Sequence, residues 1–393
     1  MKGIIRILII SMALLVIFSG CNSIEIADKE SVEVVVEHNV QLVDNQSVED
    51  PLDEEPQIDK ITILAVGDIM FHMPQVKGAK TNDTYDFSNS FKYVKKHIEN
   101  SDLALANFET VVAGNHRGFS GFPRFNSPTE TVKALKDAGF DVISTANNHS
   151  IDQGVDGIIS TIDSINDYGL ESIGTYKDQQ RAGLIKEINN IRLGLLSYTY
   201  GLNGLESLLP SNKSYMVNLI DEELIKNDIN ELDDKVDLTI VFIHWGNEYQ
   251  KHPSSYQVEL GDKMIEWGAD IILGSHPHVI QEARIINYED EDKYIIYSMG
   301  NFLSNQRKSN TDNHYTEDGV MVLLNIEKDE KATIKDVEYI PTWIYRYSNG
   351  NSFAHEILPV EEALNTNNYK EVEDRLKKSM EDTLTTLNMK DTL

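Results

Sequence analysis

The stretch ITILAVGDIM, residues 61–70, sets a run of apolar and β-branched residues directly before a glycine and an aspartate. This pattern predicts a buried strand over residues 61–66 that ends in a loop at Gly67 and Asp68. Four later loops also follow predicted apolar strands: Asn107-Phe108-Glu109, Asn147-Asn148-His149, His244-Trp245-Gly246-Asn247-Glu248 and Gly274-Ser275-His276-Pro277-His278. Because α/β folds place their sites at the carboxyl ends of strands, the five loops predict one shared site.

The order of the elements predicts the fold class. Helical patterns over residues 129–138, 154–168 and 221–233 alternate with the strands, and the chain turns to consecutive strands after His278. We therefore expect an α/β protein in which two packed sheets carry helices on their outer faces, a four-layer α/β/β/α sandwich. The asparagine pair at 189–190 predicts a hairpin between two short strands.

The amino-acid composition limits the classes of molecule that this protein can bind. The 393 residues carry a formal net charge of −29 and a single cysteine, Cys21. A chain this acidic repels nucleic acid, which excludes it as a partner, and also repels anionic lipid headgroups. An anionic polymer would need a locally basic patch or bridging cations.

The N-terminus predicts a targeting segment. Lys2 and Arg6 precede an apolar run over residues 7–18, and Ser19-Gly20-Cys21 follows. This arrangement resembles a bacterial lipobox, which predicts a signal peptide over residues 1–20 and a lipid-modified Cys21. The alternative is an uncleaved anchor, although the run is short for a bilayer span. Either way, we expect an extracytoplasmic protein held at the cell membrane.

Three further segments complete the expected organisation. Residues 21–60 are rich in aspartate and glutamate and predict an extended acidic tether. Residues 61–345 form the expected globular domain, and residues 346–393 the expected charged helical tail.

The five loops combine side chains that bind metal ions. Carboxylates, imidazoles and an asparagine carbonyl suit one or two divalent ions such as Mn, Fe or Zn. Two such ions close together can hold a phosphate and activate water. Each residue alone has a simpler explanation: Asp68 as a turn residue, His149 in a helix cap, His244 at a strand end. The metal hypothesis depends on the combination.

The order Asp, carboxylate, Asn-His, His, His-x-His resembles the calcineurin-like metallophosphatase superfamily. Within it, five strings are similar to the CapA family of capsule and poly-γ-glutamate synthesis proteins: Val66-Gly67-Asp68-Ile69-Met70, Ala106-Asn107-Phe108-Glu109, Ala146-Asn147-Asn148-His149, Gly274-Ser275-His276-Pro277-His278 and Ser298-Met299-Gly300-Asn301-Phe302. The resemblance spans residues 61–340.

The resemblance implies a role for each matching residue. The implied metal ligands are Asp68, Glu109, Asn148, His244, His276 and His278. Glu109 takes the bridging position, and His278 joins Asp68 on the first ion. The second ion takes the other three ligands. His149 is the implied proton donor, which makes it a catalytic candidate together with Glu109.

Two departures from the family pattern bear on the first ion. Met70 stands where a histidine is expected, and Glu109 is one methylene longer than the expected aspartate. A hard divalent ion gains little from a thioether, so we expect the first ion to bind weakly unless His72 replaces the missing ligand.

Arg124 and Asn301 are candidates for substrate binding; a solvated loop arginine is an equal alternative for Arg124. Two functions stay open. The first is an accessory lipoprotein in the synthesis, export or anchoring of an anionic envelope polymer, working with membrane synthase subunits. The second is an active metal-dependent hydrolase acting on a phosphoester or amide outside the cell.

Overall fold

A computed structural model of the chain describes residues 58–350 and 352–387. The expected signal peptide, Cys21 and residues 21–57 of the expected tether lie outside the described residues. In the part that is described, no helix combines the length and the apolar character needed to cross a membrane.

The described residues form two sheets flanked by helices. The strands are β1 Asp59–Ile69, β2 Leu103–Phe108, β3 Val142–Ser144, β4 Glu171–Ile173, β5 Leu184–Ile188, β6 Ile191–Thr199, β7 Leu238–His244, β8 Ile271–Ser275, β9 Ala283–Tyr288, β10 Glu291–Ile296, β11 Asn301–Leu303, β12 Asp318–Lys328, β13 Ala332–Asn349 and β14 Ser352–Pro359. The α-helices are α1 Met73–Gly78, α2 Ser88–Phe91, α3 Lys95–Glu99, α4 Glu130–Ala138, α5 Gly154–Asp167, α6 Glu222–Asp233, α7 Ser255–Glu266, α8 Lys308–Thr311, α9 Val360–Leu364 and α10 Glu373–Leu387. Short 3-10 helices occupy Asn115–Arg117, Glu206–Leu208, Ser211–Met216, His314–Glu317 and Lys370–Val372.

The first sheet has the strand order β14-β13-β12-β1-β2-β3-β4, with β11 paired to β1. The second has the order β5-β6-β7-β8-β10-β9. Strands β1 to β4 run parallel, as do β6, β7, β8 and β10. Parallel strands share one carboxyl edge, so the loops after β1, β2, β3, β7 and β8 gather at one end of each sheet.

Apolar residues on both faces of the central strands explain the layers. Ile63 of β1 and Phe242 of β7 belong to the core between the two sheets. On the opposite faces, Leu64 packs in a second core with α2, α3 and α4, while Val241 packs in a third with α6 and α7. Strands covered on both faces appear in sequence as continuous apolar runs. The predicted four-layer α/β/β/α sandwich is confirmed.

The predicted hairpin at residues 189–190 is also present. β5 and β6 pair antiparallel with Ile188 opposite Ile191, which leaves a two-residue loop. Asn189 and Asn190 adopt φ values of 45° and 61°. Two successive positive φ angles define the type I′ turn, whose twist matches that of the strands.

The C-terminal segment differs from the expected helical tail. Residues 346–349 belong to β13 and Ser352–Pro359 form β14; the two strands extend the first sheet to its edge, and helix begins only at Val360. Helix α10 then packs Leu376 against Trp343 and Leu358 in a small core of its own. The strands were missed because edge strands bury one face only and carry many polar residues. At the other end, β1 begins at Asp59, two residues inside the expected tether.

Candidate metal centre

Strand register places the predicted site residues at the facing ends of the two sheets. In the first sheet, Asp68 of β1 is opposite Asn107 of β2 and Asn301 of β11. In the second, His244 ends β7 opposite Ser275 of β8. The backbone amide of His276 lies 3.3 Å from Oδ2 of Asp68, so the two sheet ends are in direct contact.

Glu109 lies at the centre of the cluster and is fully buried. Its Oε1 is 3.7 Å from Nε2 of His244 and 3.7 Å from Nε2 of His278. Nε2 of His244 is also 3.1 Å from Oδ1 of Asn148. Ligand atoms that are each about 2.1 Å from a common ion lie roughly 3 to 4 Å apart, depending on the angle between them, so these separations suit a shared cation.

Second contacts orient the imidazoles. Nδ1 of His278 lies 2.9 Å from Oδ2 of Asp68, and Nδ1 of His244 lies 2.9 Å from Oγ of Ser275. With Nδ1 engaged in this way, each ring presents Nε2 to Glu109. Partners of this kind fix the ring and its tautomer in metal sites.

The chain holds two of these histidines in an unusual backbone conformation. The φ angles are 96° at His276 and 57° at His278. A positive φ is uncommon for residues with a Cβ, and such strain concentrates at functional sites. The turn Gly274-Ser275-His276-Pro277-His278 thus directs two side chains into the cluster at a conformational cost.

The residues fit a divalent metal. Both carboxylate oxygens of Glu109 and Nδ1 of His276 are buried and find no hydrogen-bond partner among the described residues. Buried polar atoms are nearly always satisfied, so these atoms need a ligand. Asp68, Glu109 and His244 offer ligand atoms within 4.8 Å of one another, and so do Glu109, His276 and His278. Both groups share Glu109, which suits its expected bridging position.

The resemblance pairs Asp68 with His278 on one ion, and His276 with His244 on the other. Among the described residues, Oδ2 of Asp68 lies 2.9 Å from Nδ1 of His278, and Asp68 also offers a ligand atom within 4.8 Å of Glu109 and His244. The division of the ligands between two ions therefore stays a prediction. The six expected ligands are nevertheless neighbours, because the His244 and His276 rings lie 4.8 Å apart and the His276 and His278 rings 5.9 Å apart.

Electrostatics favour the same interpretation. Burial, reinforced by the charges of Asp68 and Glu248, raises the pKa of Glu109 well above its usual value. Burial lowers the pKa of His244 well below its usual value, and burial together with His278 lowers the pKa of His276 to about 3. The imidazoles are therefore neutral, which is the form that binds metal, and a cation would stabilise the buried carboxylates.

His149 lies beside the ligand cluster and belongs to neither of the two ligand groups found among the described residues. Its Nδ1 lies 2.7 Å from Oδ2 of Asp152, a fully buried residue that the sequence reading missed. The Phe125 ring packs edge-on at 4.7 Å from the His149 ring, and the Phe125 amide donates to the same Asp152 oxygen at 2.6 Å. The signal available in sequence was the carboxylate three residues after the histidine.

A loop after β6 also reaches the site, and nothing in the sequence indicated it. Oδ1 of Asn203 accepts from Nδ2 of Asn148 at 3.1 Å, which leaves Oδ1 of Asn148 facing His244. Nδ2 of Asn203 lies 3.5 Å from Nε2 of His149. The half-exposed Tyr200 ring lies 4.4 Å from the His276 ring and covers that side of the cluster.

His72 does not replace the histidine that Met70 displaces. Its Nδ1 accepts a hydrogen bond from the Asn305 amide at 3.3 Å, and its ring packs against Phe125. It belongs to neither of the two ligand groups found among the described residues. Met70 itself is buried, and its amide donates to the Leu303 carbonyl at 2.7 Å.

The two substrate-binding candidates differ in position. Arg124 is exposed at the edge of the site, and its Nε donates to the backbone carbonyl of Asp152 at 2.8 Å. Asn301 is fully buried, and its amide donates to the Thr316 carbonyl at 2.8 Å and to Gln306. We therefore revise the role of Asn301 from substrate contact to support of the loop beside Asp68.

Comparison with known proteins relates the chain to one family. Residues 62–306 match the family model described as bacterial capsule synthesis protein PGA_cap. The capsule biosynthesis protein CapA of Bacillus anthracis is 30% identical over 291 residues, which cover 71% of this chain and 67% of that protein. The PGA biosynthesis protein CapA of Bacillus subtilis (strain 168) is 29% identical over 278 residues, 69% of each chain.

Solved structures show only distant similarity. The calcineurin-like phosphoesterase YfkN from Bacillus subtilis has a TM-score of 0.44 at 15% identity, covering 84% of this chain and 98% of that chain. A structure from Staphylococcus aureus named as a putative 5'-nucleotidase has a TM-score of 0.46 at 13% identity, covering 82% of this chain and 58% of that chain. Because both TM-scores are low, the geometry of the metal centre is argued from the contacts within this chain alone.

Proposed function

Because this chain belongs to the bacterial capsule synthesis protein family PGA_cap, we propose that it acts in the biosynthesis of an anionic envelope polymer of the poly-γ-glutamate type. The proposal places its function at the metal centre around Glu109. One observation carries it: a fully buried carboxylate whose two oxygens have no partner in the described part of the chain faces the imidazoles of His244 and His278. A protein with a purely structural role has no reason to retain such a costly arrangement.

The residues that would hold the metal are Asp68, Glu109, Asn148, His244, His276 and His278. When bound, a divalent ion polarises a substrate oxygen and lowers the pKa of water. The protein contributes the orientation: Ser275 fixes the His244 ring, Asp68 fixes the His278 ring, and Asn203 fixes the amide of Asn148.

A second candidate is hydrolysis of a phosphoester or amide in that polymer or its precursor. The contact between His149 and Asp152 favours it. A carboxylate at Nδ1 fixes the orientation of the ring and leaves Nε2 as the atom that can give a proton to a leaving group. The missing histidine at Met70 favours the accessory role, since it weakens one half of the centre.

The proposed function is tested in a strain that lacks the gene and is complemented with variants. Glu109→Gln removes the shared ligand charge with almost no change in shape, so we expect polymer output to fall to the level of the empty strain. Glu259→Gln, on the exposed face of α7, is the matched control and should restore output fully. Restoration of polymer output by Glu109→Gln at normal protein levels would contradict a function at the metal centre.

We also propose that Cys21 anchors the protein to the membrane surface. The expected signal peptide supplies the lipobox, and the acidic segment after it offers no electrostatic affinity for anionic lipid. Two acyl chains are enough for stable anchoring. Cys21→Ala should therefore accumulate as precursor or be released, which fractionation and immunoblotting measure. Wild-type processing and membrane retention of this variant would reject the lipoprotein proposal.

A further inference from the structure

An open groove of about 590 Å³ runs along the surface beside His149. Its walls include Met73, Phe119, Phe122 and Pro123, and Arg124 and Gln153 also line it. The ring of Phe122 is 6.5 Å from the ring of His149, so the groove starts at the edge of the metal centre.

The apolar wall is exposed to solvent. Phe122 is 71% exposed, the largest exposed fraction among the big apolar side chains of the described residues. Together with Met73, Phe119 and Pro123 in the same groove, Phe122 forms an apolar surface beside the polar cluster, and exposed apolar patches of this kind are typical of ligand-binding grooves. This wall can make apolar contacts with short aliphatic segments of a ligand.

The groove also differs electrostatically from the rest of the protein. The chain carries a net charge of −29, yet the residues described along this groove include Arg124 and no acidic side chain. Nε and Nη2 of Arg124 both donate to the Asp152 carbonyl, which fixes the guanidinium plane. A guanidinium held in this way can bind a carboxylate with little further loss of side-chain entropy.

Asp152 connects the groove with the centre. Its backbone carbonyl holds Arg124, and its carboxylate holds His149. Asp152 therefore holds the Arg124 guanidinium and the His149 ring in a fixed arrangement relative to each other.

We propose that this groove binds a segment of an anionic chain in which carboxylates alternate with short aliphatic stretches, as in a γ-linked glutamate chain. The inference rests on the proposed function and names the substrate class of that site. The aliphatic stretches pack on Phe122 and its neighbours, and one carboxylate pairs with Arg124.

The test measures binding of a labelled, synthetic γ-linked glutamate decamer to the purified full-length protein by fluorescence anisotropy. An α-linked glutamate decamer and a γ-linked decamer with amidated carboxylates are the comparison ligands. We expect the γ-linked acid to bind most tightly. Arg124→Gln should weaken its binding on the order of tenfold or more, and Phe122→Ala by several-fold.

Matched controls keep the result specific. Arg192→Gln and Tyr256→Ala alter comparably exposed side chains elsewhere and should bind as the wild type does. Because Phe122 is exposed, its replacement should leave the fold intact. Weaker binding by Phe122→Ala would therefore report the loss of a contact with the ligand and not misfolding. Arg124→Lys, which keeps the charge but loses the fixed fork, should bind with intermediate affinity.

The outcomes separate this inference from the proposed function. Equal binding of the γ-linked acid by the wild type, Arg124→Gln and Phe122→Ala would overturn the proposal that the groove binds this chain. Failure of the wild type to bind the γ-linked acid, or a preference for the amidated chain, would also overturn it. Neither result would bear on polymer loss in Glu109→Gln cells. Groove-dependent binding together with full rescue by Glu109→Gln would support the groove and contradict a function at the metal centre.

Discussion

Replacing His244 with alanine is expected to remove the tightly bound divalent ion from the purified protein. His244 is fully buried, and its Nε2 faces both Asn148 at 3.1 Å and Glu109 at 3.7 Å. Loss of an outer contact in a metal site typically lowers affinity about 10–100-fold. Loss of a direct ligand should lower the metal affinity by more than this. Metal content per chain, measured by mass spectrometry of the purified protein, is the readout.

The control for this variant is His116→Ala, because His116 is exposed in a loop. In the wild type we expect one ion held tightly and a second held weakly, since Met70 stands where a ligand is expected and His72 is engaged with Asn305. Two ions of equal affinity would show that another group compensates for Met70. Unchanged metal content in His244→Ala would exclude His244 as a ligand.

Replacing His149 with alanine should separate chemistry from metal binding. His149 is in neither ligand group found within residues 58–350 and 352–387, and its partners are Asp152, Phe125 and Asn203. We expect metal content to remain at the wild-type level while any hydrolase turnover falls on the order of a hundredfold or more, the usual contribution of a general acid.

The same variant distinguishes the two candidate functions in cells. Polymer output from a deletion strain carrying His149→Ala is compared with the wild type and with His116→Ala. Full rescue, together with loss of rescue by His244→Ala, would indicate that the centre binds or guides the polymer without cleaving a bond. Loss of metal from His149→Ala would contradict its placement beside the ligands.

Much of the fold follows from local patterns. The runs at residues 61–66 and 103–108 are apolar on both faces, and only strands buried between two layers have that composition. The segment from Arg346 to Pro359 was predicted as part of a helical tail because an edge strand is half solvated. These residues are strand because β13 and β14 pair with each other, and the earlier part of β13 pairs with β12; both pairings lie outside any local window.

The sequence by itself determined the set of candidate residues for the centre. Each candidate ligand lies at the carboxyl end of a buried strand or a few residues beyond it, and parallel strands must bring their carboxyl ends to a common edge. For that reason Asp68, Glu109, Asn148, His244 and His278 could be chosen without knowledge of a single contact. The sequence also showed that Met70, a thioether, stands at a position where the resemblance expects a metal ligand.

Only the tertiary structure decided how these residues combine. It placed Asp68 in one ligand group with His244, joined Asp152 to His149, and brought Asn203 onto Asn148 from a loop 55 residues away. It also turned Arg124 towards the Asp152 carbonyl and left Phe122 in solvent beside the centre. Such contacts depend on how two sheets pack and how their loops meet, and short-range apolar periodicity carries no information about either.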